Sequence, residues 1–176
     1  MRRGSAETLS LCGMMGSGKS TVARILARLT GLPLVSTDAR VEALAGRSIA
    51  GIFAAEGEPA FRSLERRVVG SLVAPAVVDL GGGAFCDPGS AERLLALGPV
   101  VFLDVSPEEA ARRIGEGEGR PLAATWPALL SRRLPLYRRA TLCLPVDGVA
   151  PEALARRILA LTRWGGRPAS PFEERT

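Results

Sequence analysis

The chain has 176 residues, 47% hydrophobic and 23% charged, enough to pack one domain and too apolar for wholesale disorder. It contains no histidine, asparagine or glutamine, so a Ser-His-Asp triad, a Cys-His dyad and any histidine-ligated metal centre are excluded. Its net charge of +5 comes from basic residues scattered among glutamates, with no long basic tract and few aromatics, which favours small anionic molecules over nucleic acid.

Short apolar runs alternate with amphipathic helical stretches, the pattern of a parallel sheet covered by helices. Thr8–Cys12 reads as a first strand, and Lys19–Thr30 as a helix with Val22, Ile25, Leu26 and Leu29 on one face. Leu34-Val35 is a short second strand, followed by helical segments at Val41–Ala45 and Ile49–Ala55. Pro59 suits the first turn of a helix reaching Val73, with Phe61, Leu64, Val68 and Leu72 turned inward. Ala76–Leu80 is a strand that stops at Gly81-Gly82-Gly83, and Ser90–Leu97 is helical. Val100–Val105 is a buried strand, and Ser106 with Glu109 forms a capping box that opens a helix to Ile114. The Gly115–Gly119 run holds three glycines and predicts a hinge. A helix at Ala128–Tyr137, a strand at Leu142–Leu144 and a helix at Pro151–Arg163 complete the series. The expected fold is α/β, a five-stranded parallel sheet sandwiched by helices. Residues 1–165 form one domain with a mobile lid at about 115–127, and residues 166–176 a flexible tail.

No stretch approaches the roughly 18 apolar residues that span a bilayer, and no signal peptide is evident. The expected compartment is the cytoplasm. The odd set Cys12, Cys86 and Cys143 has no CxxC pair and reads as reduced thiols acting as small core residues.

Of 23 basic residues only one is lysine, Lys19. It lies in Gly13-Met14-Met15-Gly16-Ser17-Gly18-Lys19-Ser20, which matches G-x-x-x-x-G-K-[ST] in full and sits between the first strand and its helix. In this P-loop pattern the glycines let backbone amides turn toward phosphate oxygens, and the helix N-terminus adds its positive end. Lys19 is expected to reach the β- and γ-phosphates of ATP, and the Ser20 hydroxyl to bind Mg²⁺. A slender point charge suits that task better than a planar guanidinium.

From the P-loop to about Pro151 the chain resembles shikimate kinase, a small P-loop kinase of the nucleoside-monophosphate-kinase type. The resemblance rests on six fragments in family order: Ser36-Thr37-Asp38; Gly46-Arg47-Ser48-Ile49; Ile52-Phe53 with Glu56-Gly57-Glu58 and Phe61-Arg62; Gly81-Gly82-Gly83-Ala84; Arg120-Pro121-Leu122; and Arg133 ahead of Pro135-Leu136-Tyr137. It implies transfer of the ATP γ-phosphate to the 3-hydroxyl of shikimate. Asp38 would hold the acceptor hydroxyl, and Arg62 and Arg133 would clamp the carboxylate as bidentate forks. Gly81, Gly82 and Gly83 would let backbone amides approach the acceptor.

Arg120 would swing over the phosphates as the lid closes. Gly13, Gly16, Ser17, Gly18, Lys19, Ser20 and Thr21 would hold the ATP phosphates. Arg113 and Pro151 match the positions that sandwich adenine.

Three departures stand out. Ser36 replaces an acidic residue that helps order the metal shell, the segment between Arg120 and Arg133 is short, and Asp79 precedes the triple glycine where a small hydroxyl residue is usual. Asp79 either holds Mg²⁺ through water or is a strand-end carboxylate satisfied by nearby amides. The expected partners are ATP and shikimate, with neither nucleic acid nor membrane, and the expected state is a monomer. A kinase for another polyol acid such as gluconate, a nucleotide-binding regulator and a nucleic-acid module are the alternatives.

Overall fold

Among the described residues five short apolar runs become the strands of a single sheet, the central ones buried on both faces. The computed structural model describes residues 7–115 and 126–162. Its strands are β1 (Leu9–Cys12), β2 (Leu34–Ser36), β3 (Val77–Asp79), β4 (Val100–Asp104) and β5 (Leu142–Pro145). They pair in the order β2-β3-β1-β4-β5, all parallel. β1 is buried at every residue, and its neighbour β4 at all but the last. The edge strands β2 and β5 keep only one buried residue each. Cys143 on β5 is therefore exposed and Cys86 half-buried, so of the three expected core thiols only Cys12 is one.

Among the described residues seven helices connect and cover the strands: α1 (Lys19–Thr30), α2 (Thr37–Ala45), α3 (Ile49–Gly70), α4 (Pro88–Leu97), α5 (Pro107–Gly115), α6 (Trp126–Tyr137) and α7 (Pro151–Leu161). A 3₁₀ turn at Ala84–Cys86, not anticipated from the pattern, follows the triple glycine. The predicted pair Ile49–Ala55 and Pro59–Val73 forms α3, two helices joined across a kink at Gly57, whose φ is 77°. That angle suits a residue without Cβ, and Pro59 starts the second half. Half of the predicted capping box forms. Ser106 Oγ accepts the Glu109 amide at 3.2 Å, but the Glu109 carboxylate turns to Arg112 and Arg113, and Asp147 takes the Ser106 amide at 3.1 Å. The helix expected over Ser90–Leu97 begins two residues earlier, at Pro88, and Asp87 caps it, accepting the Ser90 amide at 2.9 Å.

The main core lies around β1, β3 and β4, with α1 packed on α7 and α3 on α4. Val41, Ile52, Phe61 and Val68 form a second, smaller core between α2 and α3. This arm carries Asp38 and Arg62 with packing of its own. Arg120 and most of the expected lid lie outside the described residues, as does the expected tail. Of the expected lid, residues 126–127 already belong to α6, where Trp126 is buried. Among the described residues no helix is long and apolar enough to cross a membrane.

Candidate active site

The Gly13–Ser20 loop leaves the carboxyl end of β1 and turns into α1. Gly13 has a φ of 145°, and a Cβ there would lie 2.7 Å from the Leu103 carbonyl oxygen on β4. Gly18 flanks the helix at φ 86°, and no side chain caps α1. The leading amides of α1 thus point to a place where an anion binds well. Lys19 Nζ donates to the carbonyls of Gly13 at 2.9 Å and Met14 at 3.0 Å, folding the ammonium over the loop it serves. Ser20 and Thr21 follow on the exposed side of the first turn.

Beside the loop is a cavity of about 450 Å³ lined by Ser17, Gly18, Arg113, Val149 and Pro151, among others. Arg113 also braces its floor, donating to Gly16 O at 3.1 Å and to Glu109 Oε1 at 2.7 Å. The chain ends of α1, α5 and α7 thus bring Ser17, Gly18, Arg113 and Pro151 to one pocket from residues more than a hundred positions apart in sequence.

The acceptor half is organised by the triple glycine. A Cβ at Gly81 would collide with the Asp38 carboxylate, one at Gly82 would meet Arg133 Nη1 at 3.1 Å, and one at Gly83 would strike the Arg62 guanidinium. Each of the three glycines therefore faces one of the three side chains expected to hold the acceptor. None of the three has a positive φ, so space rather than backbone conformation demands glycine here. Thr37, fully buried, fastens the arrangement: its Oγ1 accepts the Gly81 amide at 2.8 Å. Ser36 Oγ accepts the Ala39 amide at 3.3 Å and caps α2, which leaves the Asp38 carboxylate to face Gly81.

Sequence reasoning assigned no role to Glu65, which is 2% exposed and pairs with Arg62 Nη1 at 2.7 Å. Its other oxygen, Oε1, is buried without a hydrogen bond among the described residues and would lie 3.2 Å from a Cβ at Gly81. Glu58 holds the other side of Arg62 at 2.9 Å, so the guanidinium is gripped in place. The i, i+3 spacing of Arg62 and Glu65 between the apolar Phe61 and Val68 was a signal that could have revealed the pair. Thr37 carried none, because its partner lies 44 residues away.

Charge is concentrated between the halves. Burial lowers the Lys19 pKa, opposed first among the charges by Asp79. Burial raises the Asp38 pKa, the Asp79 charge adds to the rise, and Lys19 opposes it. Burial also raises the Glu65 pKa against the pull of Arg62. Mg²⁺ prefers oxygen ligands and commonly uses one or two carboxylates with waters and substrate phosphates. The Ser20 hydroxyl and the Asp79 carboxylate are donors of that kind. Among the described residues no three histidine, cysteine, aspartate or glutamate side chains cluster to hold an ion by themselves, and two such donors leave room for the waters and substrate phosphates that complete a Mg²⁺ shell.

The shikimate kinase family model matches residues 15–163. The chain belongs to the shikimate kinase family. A shikimate kinase from Saccharopolyspora erythraea is 46% identical over 156 residues, covering 84% of this chain and 89% of that one. Another from Paracidovorax citrulli is 43% identical over 182 residues, covering 96% of this chain and all of that one. The structure of shikimate kinase from Acinetobacter baumannii in complex with shikimate superposes with a TM-score of 0.85 at 33% identity, covering 93% of this chain and 96% of that one. The sheet and P-loop described above are thus those of a shikimate kinase, an ATP-using phosphotransferase with an alcohol acceptor.

Proposed function

We propose that the protein transfers the γ-phosphoryl group of ATP to the 3-hydroxyl of shikimate, giving shikimate 3-phosphate and ADP, with the acceptor seated on Gly81, Gly82 and Gly83. The juxtaposition of that loop with Asp38, Arg133 and Arg62 carries the reading. The Arg62 guanidinium, held by Glu58 and Glu65, and that of Arg133 suit a carboxylate, and a carboxylate beside them suits a hydroxyl. Arg62 and Arg133 bind and orient the acceptor, and Asp38 accepts the proton of the hydroxyl as its oxygen bonds to the γ-phosphorus. The bond from that phosphorus to the bridging oxygen breaks, and ADP leaves. Phosphoryl transfer of this kind depends on positioning and charge stabilisation.

Lys19 leaves the carbonyls of Gly13 and Met14 for the β- and γ-phosphates, which the P-loop amides cradle. The cavity flanked by Arg113 and Pro151 takes the adenine. Ser20, and Asp79 through water, would hold Mg²⁺, which would supply charge neutralisation on the phosphates. Arg120, outside the described residues, is assigned to the transferring phosphoryl group. The protein acts as a cytoplasmic monomer without nucleic acid or membrane partners.

A coupled assay for ADP release tests the reading. ATP consumption that depends on shikimate, and is lost in Arg62→Ala and Arg133→Ala chiefly through acceptor affinity, is expected. Equal ADP release without acceptor, or with gluconate in place of shikimate, would overturn it.

A further inference from the structure

Tyr137, the only tyrosine of the chain, is fully buried at the end of α6 and stacks on Phe102 with ring centroids 4.9 Å apart. A phenylalanine would fill that space equally well, and burying a phenol is costly unless its hydroxyl is satisfied. The hydroxyl donates a short hydrogen bond to the Gly82 carbonyl and lies 3.8 Å from Met14 Sδ. Both contacts belong to the reaction site. Gly82 is the middle residue of the triple glycine, and the Met14 carbonyl is one of the two that hold Lys19.

Arg133 lies one helical turn before Tyr137, on the same side of α6. A Cβ at Gly82 would be 3.1 Å from Arg133 Nη1, 3.8 Å from the Gly13 carbonyl oxygen and 4.0 Å from the Tyr137 hydroxyl. One small residue thus has the acceptor arginine, the P-loop and the phenol around it. Burial keeps the phenol protonated well beyond its ordinary range, so the hydroxyl remains a donor throughout the working pH.

Resting on the acceptor reading above, we propose that Tyr137 is a positioning residue for the acceptor. Its hydroxyl, held on the Gly82 carbonyl, fixes the height of α6, and hence of Arg133, against the triple glycine and the P-loop. Acceptor affinity then depends on an oxygen atom that never touches the acceptor. Removing it leaves a buried carbonyl unpaired and lets the loop and the helix shift apart, while the ring still packs on Phe102.

Tyr137→Phe tests this, with shikimate and ADP binding measured separately by calorimetry alongside a thermal melt. The expected result is a shikimate Kd weaker by roughly tenfold, with ADP affinity retained within about twofold. Unchanged shikimate affinity, or equal weakening of both ligands together with a lowered Tm, would overturn the positioning role. A second readout needs no variant. Tyrosine labelled with ¹³C at Cζ gives one resonance in this chain, and saturating shikimate should move it; an unmoved resonance in shikimate-bound protein also overturns the inference. Wild-type protein that binds no shikimate would instead remove the acceptor reading on which it rests.

Discussion

Ser36 and Asp79 stand opposite each other in the parallel pair β2–β3, residue for residue in register. Residues so paired emerge on the same face of a sheet. A carboxylate thus stands one strand over from position 36, in register with it. Ser36 in turn uses its hydroxyl to cap α2. Asp79 is first among the charges that support the Lys19 ammonium and first among those that raise the Asp38 pKa, so its carboxylate acts at the centre of the site.

If Asp79 orders Mg²⁺-bound waters, Asp79→Asn raises the Mg²⁺ concentration needed for half-maximal rate several-fold and leaves shikimate affinity nearly unchanged. Calorimetric titration of ADP at graded Mg²⁺ reads the same shift without turnover. Ser36→Asp in that background restores part of the loss, because it returns charge from the neighbouring strand. An unaltered Mg²⁺ dependence in Asp79→Asn makes Asp79 structural.

The raised Asp38 pKa fixes two signs. A carboxyl that must be ionised to accept a proton loses activity at a higher pH when its pKa is raised, so the acid limb of kcat/KM lies above the ordinary aspartate value of about 3.9. Asp79→Asn removes one cause of the rise and moves that limb to lower pH. For stability, a native pKa above the unfolded one favours the folded state when the group is protonated. That contribution disappears as pH rises from the unfolded pKa through the native one. Asp38→Asn should therefore melt above wild type at pH 7 while losing turnover, and a lower Tm in that variant contradicts the burial cost.

Lys19→Arg keeps the charge but puts a planar group where an ammonium fits between two carbonyls 2.9 and 3.0 Å away. A loss of about 2 kcal/mol or more in transition-state stabilisation is expected in kcat/KM, in the range of single active-site electrostatic contacts. Near wild-type turnover would contradict the cradle.

The strands and the P-loop were legible because both are local: an apolar run of two to six residues and an eight-residue motif each specify themselves. The acceptor wall was legible only as fragments. Nothing in Gly81-Gly82-Gly83 states that Asp38, Arg133 and Arg62 face them one by one, since those contacts come from three separate helices, α2, α6 and α3. Glu65 had only its i, i+3 spacing to Arg62 to mark it, because a glutamate on a helix is ordinarily solvated, whereas here it is buried against Arg62. Cys143 was misplaced in the core because its apolar run was short enough to be an edge strand, and periodicity cannot tell an edge from a centre.

Each glycine of the triple keeps room for one side chain, Asp38, Arg133 or Arg62. Steady-state kinetics of Gly81→Ala and Gly83→Ala measure it most directly, because both positions have backbone angles that alanine accepts. The methyl group at 81 displaces Asp38, so kcat should fall by more than about tenfold, in the range of a disturbed general base. The methyl group at 83 displaces Arg62, so shikimate KM should rise with the smaller effect on kcat. ADP affinity should be retained in both. Wild-type kcat in Gly81→Ala together with wild-type shikimate KM in Gly83→Ala would contradict the account.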